Sequence, residues 1–335
     1  MLASRTQALP LSRRGLLRAV ALTLAAVEVA RHAATASEAG LRILCSGPAG
    51  SIPDLVARAV ALQLPTASGR RALVDNRPGA AGRLSVAALR AAPADGSTLL
   101  LAQGAIATVY PYLYDKPGYD AAADLQPVSL ASEMVLGLAV GPAVPVDVTT
   151  LADFSSWLRR NPQRAHIGSP GVGTLPHLLA TMWFRKEALG WQHVAYSGGP
   201  PAVIHLLGGQ ISALVLPEGL LRQHHATGRV RVLASSGQTR SAYLPDVPTF
   251  VEGGHPELVV TEWFAFFASG RVPRSTVEAI SAVLREVLAS PALMATFVQA
   301  GMTPASSLPA ALLARIAEEQ RYWQTVLRAN NINAD

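Results

Sequence analysis

The sequence predicts an α/β fold made of two domains, and three observations lead to this prediction. The chain has 335 residues, of which 50% are hydrophobic, enough to bury two ordinary cores or one large core. From Leu41 onward, short apolar runs alternate with longer segments of helical periodicity. The same alternation continues from residue 135 onward. Such alternation is typical of βαβ units with parallel strands.

The first half of this alternation predicts three strands and two helices. They are strands 41–46, 71–76 and 97–103, and helices 54–64 and 82–92. Cys45, the single cysteine of the chain, falls in the first strand, and we expect it to be a buried apolar residue. One cysteine excludes an internal disulfide and every metal site that needs several cysteines.

The second half continues the same rhythm and ends in helices. Its predicted elements are strand 135–141, helix 150–161, strand 165–170, helix 175–189, strand 193–197, helix 201–208, strands 212–217, 230–236 and 259–269, and a nearly all-helical tail from Ser275. The segments from 135 to 236 predict a second parallel α/β unit of about a hundred residues.

The first 36 residues have the pattern of an export signal. Arg13 and Arg14 precede a short apolar stretch, and the small residues Ala-Thr-Ala close it at residues 34–36. The arginine pair followed by Gly-Leu-Leu is similar to a twin-arginine signature, and an ordinary export signal with incidental arginines is the alternative. Charges interrupt the stretch, so it falls short of the about 20 apolar residues of a membrane span. We expect a soluble mature protein in the periplasm, starting near Ser37.

The net charge of +6 does not indicate a nucleic-acid partner. Five arginines and one glutamate lie within the first 36 residues, so the predicted export signal carries most of the excess charge. The remaining basic residues are scattered, without a run of Lys and Arg interleaved with aromatic residues. We therefore expect no nucleic-acid partner.

The loop after the first strand has the features of an anion-binding helix start. Gly47 and Gly50 allow close approach of the main chain, and Ser51 stands at the expected N-cap. The first turn of a helix presents unpaired N–H groups and a partial positive charge, which favour a carboxylate or phosphate. Asp54 follows Ser51 at the capping-box spacing, which predicts a structural role. Pro53 removes one N–H donor.

The same pattern recurs at residues 167–180, IGSPGVGTLPHLLA, which contain Ser169, Gly171, Gly173, Thr174 and His177. Two such loops, one from each predicted domain, could enclose a ligand in a cleft. Glycines that simply end strands and start helices are the alternative for either loop alone. Neither loop is a GxxxxGK[ST] phosphate loop or a complete GxGxxG fingerprint. Asp75, near the end of the second strand, keeps a nucleotide-binding fold as a minor alternative.

Seven motifs of the mature chain stand in an order found together in one family. They are DLVARAVALQL at 54, VDNRPGAAGRLSVAALRAAPADGSTLLLAQ at 74, YPYLYDKPGYDAAADLQPVSL at 110, IGSPGVGTLPHL at 167, VAYSGGPPAVIHLLGGQISAL at 194, VLASSGQTRSAYLPDVPTFVEGG at 232 and the final Trp323. In these motifs the chain resembles the periplasmic substrate-binding receptors of tripartite tricarboxylate transporters, also called Bug proteins. The resemblance covers residues 41–328, nearly all of the mature chain.

The resemblance implies a type II periplasmic binding protein, with two α/β domains joined by crossing strands and a small organic ligand between them. Domain 1 would comprise residues 41–138 plus 258–335, and domain 2 residues 139–257. The receptor would be a monomer without cofactor or metal, and its partner a membrane permease. One aromatic ring of the strand at 259–269 would lie near the cleft.

The resemblance also implies that main-chain amides and waters of the loops at residues 47–54 and 169–174 bind one ligand carboxylate. The predicted ligand-binding residues are Ala49, Gly50, Ser51, Ile52, Asp54, Ser169, Gly171, Gly173, Thr174, His177 and Tyr196.

Four departures from the family pattern bear on the ligand. Ser51-Ile52-Pro53 replaces Gly-Gly-Thr, Arg83 replaces Asn, Ser197 replaces Lys, and Ser212 replaces an acidic residue. We expect these departures to change the ligand and to leave the fold intact.

Other functions fit parts of the sequence less well. A hydrolase with Ser169 as nucleophile and His177 as base lacks the GxSxG elbow and an acidic residue to orient the histidine. A metal site at His224 and His225 lacks a carboxylate at ligand spacing. We therefore expect a binding protein and not an enzyme. A receptor that reports its ligand to a membrane sensor is the alternative to a transport receptor.

Overall fold

Ten strands in the described part of the chain form one sheet. The computed structural model describes residues 40–69 and 71–334, so the predicted export signal lies outside the described residues. The strands are β1 Leu41–Cys45, β2 Ala72–Asn76, β3 Thr98–Gln103, β4 Leu125–Val140, β5 His166–Ser169, β6 Gln192–Ala195, β7 Ala213–Pro217, β8 Arg231–Ser235, β9 Thr261–Ser269 and β10 Thr303–Pro304. Their order is β2-β1-β3-β9-β4-β7-β5-β6, and β8 and β10 pair with β4 outside this path.

Helices connect most of these strands. They are α1 Ile52–Ser68, α2 Arg83–Ala91, α3 Ala105–Thr108, α4 Tyr110–Leu113, α5 Ala121–Asp124, α6 Leu151–Arg160, α7 Leu175–Lys186, α8 Gly199–Leu207, α9 Arg222–Ala226, α10 Arg274–Leu288, α11 Pro291–Gln299 and α12 Pro309–Ala329. No described helix is by itself long and apolar enough to cross a membrane. The pair α10 and α11 passes that test only when taken together, and it is bent by 69°.

Parallel pairs lie towards both ends of the strand order. β1 pairs with β2 and β3, and β5 pairs with β6 and β7, all in parallel. Parallel neighbours need a crossover connection, which the intervening helices supply. The α/β fold predicted from the alternation of strands and helices is confirmed.

β4 is the strand that both groups of strands share. Its first part, Leu125–Val135, pairs antiparallel with β9, and its last part, Leu136–Val140, pairs antiparallel with β7. The predicted strand at 135–141 therefore covered only the end of a strand of 16 residues. The first part escapes prediction because Pro127 and two serines break its apolar pattern, and its pairing with β9 shifts register at the same places.

Both faces of the sheet are buried. Ile43 and Cys45 pack into one hydrophobic cluster and Leu44 into another, and all three are 0% exposed. This confirms the expectation that Cys45 is a buried apolar residue, and burial raises the pKa of its thiol to about 12. Because the faces are covered, the edge where the strands end is the natural place for a ligand site.

Candidate functional site

A cavity of about 420 Å³ lies at this edge. Its wall includes residues from the loops that follow β1 and β2, the end of β3, and the loops that follow β5, β6 and β7. The first residues of β9 also line it, because β9 runs antiparallel to β3 and begins where β3 ends. The wall therefore combines residues from both groups of strands that meet at β4.

The loop after β1 is held by its own hydrogen bonds. Ser51 donates twice to the carbonyl oxygen of Pro48, from N–H at 3.1 Å and from Oγ at 2.6 Å. Gly50 N–H donates to Asp54 Oδ2 at 2.9 Å. The capping-box spacing predicted a reciprocal pair of Ser51 and Asp54, and this is wrong because Pro48 takes both donors of Ser51 and Asp54 accepts from Gly50.

Asp54 stabilises this loop through hydrogen bonds from several directions. It is 3% exposed and also accepts hydrogen bonds from Asn76 Nδ2 at 2.9 Å and Arg58 Nε at 3.0 Å. Burial raises its pKa, but the bonds from Arg58, Gly50 and Asn76 outweigh burial and leave the pKa below its ordinary value. The structural role predicted for Asp54 agrees with these contacts, and Asp54 does not line the cavity.

The loop after β2 forms a part of the wall that the sequence did not reveal as a site. Gly79, Ala80, Ala81 and Gly82 all have positive φ, at 125°, 46°, 53° and 91°. Gln103 Nε2 donates to the Ala81 carbonyl oxygen at 2.6 Å and fixes this conformation from the end of β3. Two consecutive alanines in the left-handed region are unusual, and they bring the main chain of this loop to the cavity.

The loop after β5 is also held by hydrogen bonds among its own residues and the first turns of α7. Gly173 N–H donates to His177 Nδ1 at 3.1 Å, and Thr174 Oγ1 donates to the Gly171 carbonyl oxygen at 2.8 Å. Ser169 Oγ donates to the same carbonyl oxygen at 3.1 Å. Gly171 and Thr174 line the cavity, whereas Ser169, Gly173 and His177 lie outside its wall.

Ser169 pairs with a histidine that the sequence analysis did not consider. Ser169 Oγ lies 2.8 Å from His193 Nε2, and His193 stacks on His177 with ring centroids 4.0 Å apart. Burial, together with His193, lowers the pKa of His177 to about 3, and burial lowers the pKa of His193 to about 4. Both histidines are neutral at neutral pH. Ser169 is 0% exposed, so this pair has the environment of packed core residues and not of a nucleophile and its base.

Two contacts join loops from the two groups of strands. Tyr114 Oη donates to the Val172 carbonyl oxygen at 2.8 Å, and a Cβ added to Gly198 would stand 2.8 Å from Pro48. On its own side of the cavity, Tyr114 also carries the Arg83 guanidinium over its ring, 3.9 Å from the ring centroid.

β9 contributes Glu262 and Phe264 to the wall. Glu262 is 4% exposed. Burial, with Glu319 nearby, raises its pKa to about 8, so the carboxyl group is mostly protonated at neutral pH. Phe264 agrees with the expectation that one ring of this strand lies near the cleft.

The structure thus brings five of the eleven predicted ligand-binding residues into the cavity wall, namely Ser51, Ile52, Gly171, Thr174 and Tyr196. The other six, Ala49, Gly50, Asp54, Ser169, Gly173 and His177, are outside the wall. Sequence reasoning missed Gln103, Tyr114 and Glu262 as wall residues and treated Arg83 only as a departure from the family pattern. Within the described residues, no group of three or more His, Cys, Asp or Glu side chains could hold a metal ion.

Comparison with known proteins agrees with this architecture. The family described as "Tripartite tricarboxylate transporter family receptor" matches residues 56–332. BugT of Bordetella pertussis is 30% identical over 289 residues, which cover 86% of this chain and 88% of BugT. A solved structure described as a periplasmic transporter is 27% identical, with a TM-score of 0.82, and covers 88% of this chain and 98% of that chain.

An R. palustris protein solved with adipate also has a TM-score of 0.82, at 24% identity, and covers 88% of this chain and 98% of that chain. At this identity it shows the shared fold alone. The family match and the similarity to BugT confirm the resemblance seen in the sequence motifs. The chain belongs to the tripartite tricarboxylate transporter receptor family, whose members are binding receptors and not enzymes.

Proposed function

We propose that this chain is an exported periplasmic receptor that captures a small metabolite bearing a carboxylate and presents it to a membrane permease of the tripartite tricarboxylate type. The observation that carries the proposal is the cavity of about 420 Å³, with walls from both groups of strands. Small-molecule sites usually have volumes of about 300–1,000 Å³. A cavity of this size suits one small organic acid.

The cavity wall favours a negative charge at two places. α1, a helix of 17 residues, begins at Ile52 in the wall, and the N–H of Ile52 has no acceptor within the helix because it belongs to the first turn. Arg83 also lines the cavity. The sequence analysis assigned carboxylate binding to main-chain amides, and Arg83 adds a guanidinium to them.

Several N–H groups of these loops already donate hydrogen bonds within the protein, which leaves fewer donors for a ligand carboxylate. The N–H groups of Gly50, Ser51 and Gly173 already donate within the protein. Arg83 donates from Nε to the Ala80 carbonyl oxygen at 3.2 Å and from Nη1 to the Lys116 carbonyl oxygen at 3.5 Å, so only part of its guanidinium is engaged. We therefore place the ligand carboxylate near Ile52 N–H and the remaining N–H groups of Arg83. Both residues line the cavity, and their loops approach each other, since a Cβ added to Gly82 would stand 3.2 Å from Ser46 Cβ.

Residues 1–36 support export, through the arginine pair and the Ala-Thr-Ala segment. Family membership supports a permease partner. The division into domains at residues 41–138 plus 258–335 and 139–257 is part of the same proposal, with β4 as the strand that crosses the boundary and β9 as the strand that follows the return to domain 1.

Thermal unfolding of the purified protein with a panel of acids tests the proposal. The panel contains dicarboxylates of different length, citrate, aromatic acids and amino acids, each compared with its neutral amide. A ligand that binds the folded state stabilises it by about 2.7 kcal/mol at 100 times its Kd. We expect at least one acid to raise the Tm in a concentration-dependent manner and its amide to have no effect.

A pair of matched variants locates the effect. Arg83→Met removes the cavity guanidinium and should weaken acid binding at least about tenfold, because a hydrogen bond to a charged group contributes about 1.5–3 kcal/mol. Arg90→Met changes an arginine of the same helix that pairs with Asp124 and does not line the cavity, so it should leave acid binding unchanged. No Tm shift with any acid would contradict the proposal.

A further inference from the structure

Glu262 is the side chain of the cavity wall whose hydrogen bonding the protein leaves incomplete. Its Oε1 is buried and has no hydrogen-bond partner among the described residues. Nine other buried side-chain atoms in the described part of the chain also lack a partner, but none of their residues lines this cavity. A buried polar atom without a partner costs about 1–3 kcal/mol, so its retention at a binding site needs a reason.

Gln103, in the same wall, is a polar residue whose amide oxygen and nitrogen both have hydrogen-bond partners. Its Oε1 accepts from Ser46 Oγ at 2.9 Å, and its Nε2 donates to the Ala81 carbonyl oxygen at 2.6 Å. Both ends of this amide are engaged in holding the wall together. Glu262 differs, because its Oε1 has no hydrogen-bond partner and the donor recorded for its carboxyl group is the backbone N–H of Trp263.

The position of Glu262 suits the far end of a small acid. β3 is the only strand between β1 and β9, and neighbouring strands lie about 4.8 Å apart. β1, which precedes α1, and β9, which begins next to Glu262, are therefore about 10 Å apart across the sheet. Ile52 at the start of α1 and Glu262 both line the cavity, so a ligand whose carboxylate lies at the start of α1 shares the cavity with Glu262.

The surroundings of Glu262 favour a donor from the ligand. The ionisable groups that act on it are Glu319 of α12 and Tyr110 of α4, and neither is a cation. Burial raises its pKa to about 8, which keeps the group mostly neutral in the free protein. In the neutral form the carbonyl oxygen accepts a hydrogen bond, and in the ionised form both oxygens do.

We propose that Glu262 determines the specificity of this receptor by accepting a hydrogen bond from a hydroxyl or ammonium group of the ligand. This inference rests on the proposed function, and it narrows the ligand to acids that carry such a donor. Unsubstituted acids leave Oε1 without a partner in the complex and bind more weakly. Hydroxy acids and amino acids share the required chemistry.

Calorimetric titration with acids of matched skeleton tests the inference. Succinate, malate and aspartate differ only in a hydrogen, a hydroxyl or an ammonium group on one carbon, and adipate with its 2-hydroxy and 2-amino derivatives repeats the series at greater length. We expect a substituted acid to bind at least about fivefold more tightly than the unsubstituted acid of the same length, the effect of one hydrogen bond. The tighter member of each substituted pair identifies the donor as hydroxyl or ammonium.

The Glu262→Met variant distinguishes a loss of ligand specificity from a loss of folding. Methionine fills a similar volume without polar atoms, so this variant should lose the preference for substituted acids while its affinity for the unsubstituted acid changes less than about twofold. Glu262→Gln keeps a carbonyl acceptor and should retain a preference for the hydroxy acid. Glu218→Met is the matched control, because Glu218 is 2% exposed and lies outside the cavity wall, and it should keep the preference.

The outcomes are distinct. Wild-type protein that binds acids without preferring substituted ones overturns the inference and leaves the proposed function standing, and so does a Glu262→Met variant that keeps the preference. The ligand series on wild-type protein decides the matter even if a variant fails to fold. Binding of no acid at all contradicts the inference and the proposed function together.

Discussion

Asp54 and Glu262 are two carboxyl groups with nearly the same burial and opposite ionisation. Asp54 is 3% exposed and Glu262 is 4% exposed. Asp54 accepts bonds from Arg58, Asn76 and Gly50, and these keep its pKa below the ordinary value in spite of burial. For Glu262, burial and Glu319 raise the pKa to about 8. Hydrogen-bond partners, and not burial alone, therefore separate a structural carboxylate from a carboxyl group available to a ligand.

The stacked histidines His177 and His193, which lie outside the cavity wall, provide a second prediction about individual residues. The pKa of His177 is lowered to about 3 and that of His193 to about 4, from about 6.5 in an unfolded chain. Below pH 6.5 the unfolded state therefore binds more protons than the folded state. Their contribution to stability is fully present above about pH 6.5 and is lost as the pH falls towards 4 and 3.

Thermal unfolding between pH 7 and pH 4 checks this prediction. His177→Phe keeps a ring to stack on His193 and removes one titrating group, so its Tm should fall less steeply with decreasing pH than that of the wild type. His205→Phe, at an exposed position of α8, should follow the wild-type curve. Parallel curves for His177→Phe and wild type would contradict the assignment.

At the scale of elements, the loop after β2 is the part of the site most dependent on backbone conformation. Ala80 and Ala81 have φ of 46° and 53°, and the left-handed region costs a residue with a Cβ about 1–2 kcal/mol. Gln103 and Tyr110 offset this cost, because both donate hydrogen bonds to the Ala81 carbonyl oxygen, at 2.6 Å and 3.1 Å. The loop can therefore present its main chain to the cavity.

Two alanine-to-glycine substitutions, with opposite expected effects on the free energy of unfolding, test this conformation. Ala81→Gly relieves the left-handed strain and should leave the free energy of unfolding unchanged or raise it by up to about 1 kcal/mol. Ala87→Gly, in the regular helix α2, should lower it by about 1 kcal/mol. Denaturant unfolding measures both. An equal loss in the two variants would mean that Ala81 is not strained.

The elements that the sequence predicted well are those with a strong local pattern. β1, α1 and β3 have unbroken apolar runs or clear helical periodicity, and their bounds agree within a few residues. The first part of β4 escaped because Pro127 and serines break its pattern. The antiparallel pairing of β9 with β3 and β4 depends on contacts between distant segments, which periodicity does not report.

The site was predicted in outline and not in its details, for similar reasons. Two glycine-bearing loops at strand ends pointed to the edge of the sheet where the cavity lies. That Ser51 and Gly173 use their donors internally could not be read from spacing. Two alanines in the left-handed region have no sequence signature, and a lone Glu262 at the start of an apolar strand looks like an ordinary strand end.

For the whole molecule, contacts between the two groups of strands bear on how a ligand is enclosed. Tyr114 bonds to Val172, and Pro48 lies next to Gly198. β4 is shared by both groups of strands, so a hinge in β4 and in the segment that precedes β9 is the movement that the proposed domain division predicts. Closure around a bound acid would then give the permease a shape that depends on occupancy.

The central claim is that a small acid binds in this cavity with its carboxylate at the start of α1 and its donor group at Glu262. A crystal structure with the tightest-binding acid tests it most directly. We predict a carboxylate oxygen within about 3.2 Å of Ile52 N or of the Arg83 guanidinium, and a ligand donor at the same distance from Glu262. An acid bound at another place, or one that leaves Ile52, Arg83 and Glu262 without contact, would contradict the claim.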